Sequence, residues 1–151
     1  MRIPRKKWDR VELLASKCVA AIDQGLDWET SSKEVVAFLR TLRKEYGDRS
    51  VILASLGDYA NDPRERLALY ERAFEEATRE HNLAGLASIA TSATRCCLEH
   101  DADELAGWRG RLVSIFEGIE DTWEKTEAKE LLELTKSTPD EQGGSGQTPG
   151  T

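Results

Sequence analysis

The residues of this 151-residue chain with the types to do chemistry are two histidines, three cysteines and one dense polar run. His100 stands in Glu99-His100-Asp101-Ala102-Asp103-Glu104, where an imidazole among carboxylates could hold a divalent metal or pass a proton. Both His81 and His100 fall at the ends of expected helices, and caps and dipole-facing side chains account for the same letters. Cys96 and Cys97 are adjacent, a spacing that rarely gives an unstrained disulfide. On a helix they point about 100° apart, which puts Cys97 in the core and Cys96 on a flank. No HExxH, CxxC, glycine-rich phosphate loop or GxSxG elbow occurs. No catalytic residue, cofactor or metal ligand is therefore assigned. Folding alone can bring two carboxylates together, so a helical-bundle enzyme stays as an alternative.

Charge and composition point to binding. The chain carries a net −7, with 39% hydrophobic and 32% charged residues, a balance that suits one folded domain. Residues 1–50 hold eleven basic and eight acidic side chains, whereas residues 101–151 hold five and twelve. An acidic C-terminal third repels a nucleic-acid backbone and attracts a basic protein surface. The cluster Arg2, Arg5, Lys6, Lys7 and Arg10 has only Trp8 as an aromatic neighbour and reads as a charged leader. No apolar run suits a secretory signal or a membrane span. An odd cysteine count without framework spacing fits a reducing compartment. These features imply a cytoplasmic protein whose partner is another, basic protein, with no nucleic acid and no membrane.

The elements that must position such a surface are helices. Asp62, Pro63 and Glu65 open the most distinct one, with Leu67, Tyr70, Phe74 and Ala77 on one face. Val35, Phe38 and Leu42 repeat its spacing upstream, and Leu105, Trp108 and Leu112 repeat it downstream. A first helix runs from near Lys6 to Gly25, with Trp8, Val11, Ala15, Cys18 and Ile22 buried and Leu14 and Val19 widening the stripe. Ser31 with Glu34, Asp48, Asn82, Asp101 with Glu104, and Asp121 with Glu124 are the expected caps of the others. Gly57 late in the third helix costs about 1 kcal/mol relative to alanine. The fifth helix, with Leu83, Leu86, Ala90, Ala93 and Cys97 on its core face, is rich in small residues and should lie centrally. The last carries Trp123, Ala128, Leu131 and Leu134. The sum is an all-α protein of about seven helices stacked as antiparallel hairpins, a single domain over residues 1–136. Residues 137–151, STPDEQGGSGQTPGT, read as a disordered tail.

Residues 50–80, and LALYERAFEEA above all, resemble a tetratricopeptide repeat (TPR). Tyr70 takes the repeat's aromatic position, Ala73 its small one and Phe74 its large apolar one. Residues 83–116 are similar more loosely, through small residues on the first helix and Trp108 and Leu112 on the second. The chain departs from the family at Glu34, Arg66 and Glu104, at Thr41 and Arg111, and in lacking the closing proline. The resemblance implies a TPR-like stack with a binding role and no particular ligand. A plain helical bundle is the other architecture open to these elements.

The peptide-clamp form of that family uses basic residues on its first helices, whereas the matching stretch here offers Asp48, Asp58 and Tyr59. The resemblance thus implies a groove for a basic peptide rather than for an acidic tail. On the last helix Glu120, Glu124 and Glu127 lie on the side of Trp123 and repeat the theme. In general character the chain is similar to bacterial immunity proteins and antitoxins, whose carboxylates stand in for phosphate in the cleft of a basic toxin. An adaptor subunit held through apolar helix faces is the alternative binding role.

Overall fold

The computed structural model describes residues 2–136, which form seven α-helices and, among the described residues, no strand. The expected tail, residues 137–151, lies outside the described residues. The chain forms two compact units, Met1–Glu76 and Ala77–Thr151.

The first unit holds α1 (Arg5–Asp23), α2 (Trp28–Tyr46), α3 (Ser50–Tyr59) and most of α4 (Pro63–Arg79). Gly25 closes α1 with φ +94, the left-handed conformation that costs glycine nothing. Its N–H donates to the Ile22 carbonyl and that of Leu26 to the Ala21 carbonyl, a full Schellman closure. Val19 is 60% exposed and does not widen the buried stripe, which is Val11, Leu14 and Cys18.

Two caps differ from expectation. The α2 helix starts at Trp28, where the Asp27 carboxylate accepts from the Thr30 N–H at 2.7 Å, so Ser31 lies inside the helix. Asp48 does not cap α3. Two guanidinium groups, those of Arg43 and Arg72, take its carboxylate, and Arg49 precedes the helix without a side-chain cap.

The core gathers Val11, Leu14, Val35, Leu39, Leu42, Ile52 and Leu56, with Phe38 and Tyr46 packed against it half-buried. Leu39, rather than Phe38, is the buried centre of α2, so the shared aromatic position is a repeat of spacing and not of burial. Gly57 has a packing reason. A Cβ there would stand 2.7 Å from the Tyr70 ring, so glycine lets the buried tyrosine of α4 lie directly on α3.

The second unit holds α5 (Leu83–Glu99), α6 (Leu105–Ile115), a short 3-10 turn (Phe116–Gly118) and α7 (Thr122–Leu134). The α5 helix packs on both α6 and α7, and its small residues make this close approach possible. It is buried on more than one face, from Ala87 and Ile89 to Cys96 and Cys97. Cys96 is thus in the interior too, not on a flank. The buried Thr91 and Thr94 hydroxyls donate to the Ala87 and Ala90 carbonyls at 2.7 Å, which satisfies them without a partner helix. Asn82 and Asp121 cap α5 and α7 as expected.

Asp101 does not cap α6. It has φ +51 at the C′ position of α5, where the following Ala102 N–H donates to the Cys97 carbonyl. His81 fills the same role after α4, with φ +55 and the Asn82 N–H on the Ala77 carbonyl. The α6 helix begins at Leu105 with no side-chain cap at Glu104. Arg109 ties it to the end of α7 through the Thr135 hydroxyl at 3.0 Å and the Leu132 carbonyl at 3.3 Å. Among the described residues no helix is long and apolar enough to cross a membrane.

Candidate protein-binding surfaces

Among the described residues, each unit presents a surface with the makings of a binding site. In the first unit α2, α3 and α4 enclose an open groove of about 590 Å³. At one end Trp28 stacks on Tyr59, with ring centroids 5.7 Å apart and planes 14° from parallel. The Trp28 indole N–H donates to the Tyr59 carbonyl at 3.1 Å, which pins the start of α2 to the end of α3. Arg66 holds the same end of α3 by donating to the carbonyls of Asp58 and Ala60, as a cation near a helix C-terminus should. Val36, Leu56 and Leu69 form the apolar lining, and Lys33 and Arg40 edge it from α2. Glu29 and Glu65, each in the first turn of its helix, bring acid to the stacked end.

The acids expected to define this surface are engaged within the unit. Asp48 accepts from Arg43 at 2.6 Å and from Arg72. The Arg43 hydrogen bond above all, with help from Arg72 and against the effect of burial, holds its carboxyl below the usual range. Asp58 accepts from the Tyr70 hydroxyl at 2.6 Å. Tyr59 lies half-buried in the groove, and burial raises its pKa, with Cys18 and Asp58 adding to the rise. Neither Asp48 nor Asp58 lines the groove.

In the second unit Leu83, expected in the core, is 71% exposed, and Trp123 is 74% exposed. The reason for Leu83 is its position as the first residue of α5, one turn short of where that helix becomes buried. It lines a cavity of about 170 Å³ with Glu120, Asp121 and Glu124, floored by Ala87 and Ile119. Glu120 is exposed at the rim. Glu124 is part-buried, and one carboxylate oxygen is out of reach of water and of any hydrogen-bond donor. Burial first, then the charge of Asp121, raises its pKa. Glu127 points elsewhere and pairs with Arg95 of α5. The structure thus gathers Glu120 and Glu124 around one cavity and sets Trp123 beside them in the chain. Glu127 is occupied by a structural ion pair.

The chemistry-bearing residues take other roles. Burial pushes the Cys97 thiol up to about 12, with Cys96 and Glu104 adding to it, and raises Cys18 as well. Neither thiol is poised as a nucleophile. The polar run around His100 forms the turn between α5 and α6. Among the described residues no three of His, Cys, Asp and Glu gather so as to hold a metal ion.

Sequence reasoning missed Trp28, Lys33, Arg40 and Leu83 as surface features. Asp27 three residues before Thr30 was the available signal for Trp28, because it moves the helix start back to include that ring. No protein-family model, curated protein or solved structure matches the chain.

Proposed function

We propose that the protein is a protein-binding module and that the edge of its second unit receives a basic partner. The observation that carries this reading is the pairing of exposed apolar residues with unneutralised acid. Leu83 and Trp123 are 71% and 74% exposed, and Leu83 shares its cavity with Glu120, Asp121 and Glu124. Exposed apolar surface rimmed by polar residues marks interaction sites, and tryptophan is enriched among the residues that dominate binding energy. A cavity of this size takes one long side chain, and an arginine or lysine suits it because its stem is apolar and its head cationic. Its carboxylates would then do for a basic protein what phosphates do for it in a nucleic-acid complex. On this reading the chain acts, in general character, as immunity proteins and antitoxins do, blocking a toxin's cleft in the cytoplasm with a TPR-like stack. The role is binding rather than catalysis.

The test is affinity capture from the source cell with the wild-type chain and with Glu120→Lys combined with Trp123→Ala. A basic protein retained by the wild type and lost by the variant at low salt is the expected result. A partner retained equally by both would remove this edge from the account.

A further inference from the structure

We propose that the groove of the first unit is a second, independent docking site, one that takes an acidic segment of another protein. The proposal goes beyond the basic-partner edge and does not rest on it. Its basis is the charge distribution along the groove.

Lys33 and Arg40 are exposed on α2, and neither makes an ion pair among the described residues. They are seven residues apart, two helical turns or about 10.5 Å, so they share one face. Val36 and Ala37 lie between them on that face, and Leu56 and Leu69 line the groove beside it. Beyond Arg40 stand Arg43 and Arg72, bridged by the single carboxylate of Asp48. Arg40 and Arg43 line this end of the groove, and Arg43 shares the Asp48 carboxylate with Arg72 outside the lining, so Arg40 is the cation left to a ligand here. The carboxylates α4 carries farther along, Glu71, Glu75 and Glu76, are not among the groove's lining residues. The other end, at the Trp28–Tyr59 stack, carries Glu29 and Glu65 and is acidic.

The complementary ligand is a segment with two side-chain carboxylates about 10 Å apart, flanking an apolar residue. One carboxylate meets Lys33, the other makes a forked contact with Arg40, and the apolar side chain rests on Val36, Leu56 and Leu69. Glu29 and Glu65 disfavour a further acid at the stacked end, which fixes the direction in which the segment lies.

The probe is a synthetic fluorescent helical peptide with Glu at two positions seven apart and Leu at the two positions between them that share their face. A second peptide carries Lys in place of both Glu residues. Fluorescence anisotropy at low salt should show saturable binding of the Glu peptide and none of the Lys peptide. Lys33→Glu with Arg40→Glu should weaken the Glu peptide about tenfold or more, and Lys33→Gln with Arg40→Gln should fall between. Both pairs sit on an exposed face, and an unchanged helical circular dichroism spectrum verifies the fold. The Glu120→Lys, Trp123→Ala variant should bind the Glu peptide like the wild type, which separates this site from the second-unit edge. No binding of the Glu peptide by the wild type, or binding indifferent to the charge reversal, would overturn the proposal. So would a single-stranded RNA oligonucleotide that binds through Lys33 and Arg40 while the Glu peptide does not.

Discussion

Residues 1–76 carry fourteen basic and fourteen acidic side chains, whereas residues 77–151 carry seven and fourteen. The whole net charge of −7 thus belongs to the second unit. The same contrast appears in how each unit uses its carboxylates. In the first, Asp48 and Asp58 are held by Arg43, Arg72 and Tyr70, and the cations Lys33 and Arg40 are left on the groove. In the second, Glu120, Asp121 and Glu124 surround a cavity, while Glu127 is drawn into a pair with Arg95. The difference teaches that a chain-wide net charge does not describe any one surface, because hydrogen bonding decides which charges face a partner.

The largest expected effects ask whether the two units are energetically distinct. Tyr70 and Trp108 are 2% and 4% exposed, one in each unit. Either one changed to Ala should cost about 3–5 kcal/mol, read by urea denaturation. Hydrogen exchange should show each loss concentrated in the substituted residue's own unit. Equal loosening of both units by either change would erase the comparison at the level of stability.

The next test sets Asp48 against Glu124, whose pKa values move in opposite directions. Asp48 is depressed on folding, so its contribution is present above the ordinary carboxylate range and is lost as pH falls through its folded pKa. Glu124 is raised, so folding carries a penalty above its folded pKa that is relieved as pH falls towards its unfolded value of about 4.3. At neutral pH Asp48→Asn should lower the melting temperature and Glu124→Gln should raise it, each by about 1 kcal/mol of stability or less. Both differences should shrink on acidification. The same sign for the two variants at neutral pH would contradict the assignment of one carboxylate as paired and the other as exposed to burial without a partner.

An effect of similar size concerns how much of the chain was legible in its letters. Asp101→Gly should stabilise by about 1 kcal/mol, because glycine occupies φ +51 without the steric cost of a Cβ. Thermal denaturation would detect it, and a loss of stability would mean that Asp101 does cap α6. Periodicity located all seven helices, and Asn82, Asp62 and Asp121 marked three of their starts, since an Asx side chain directly bonding the first turn is a local event. Asp48 and Asp101 carry the same letter in the same setting and do something else. Distant guanidinium groups take the first, and the backbone closure of the preceding helix takes the second. Trp123 was legible as a surface candidate beside acid. Leu83 was not, because helical spacing does not say where along a helix burial begins. The groove was legible only through Tyr59, since Lys33 and Arg40 look like any solvated helix face until α3 and α4 build a wall beside them.

The proposed role of the second unit's edge is to bind a basic, apolar-bearing partner. Hydrogen exchange of the full chain with a saturating Arg- and Leu-bearing peptide at low salt tests it most directly. Amides at the starts of α5 and α7, around Leu83 and Glu124, should gain protection. That protection should fade in 1 M salt, where the Debye length falls to about 3 Å. Protection that falls instead on α2, or none at either helix start under conditions where the peptide is bound, would contradict it.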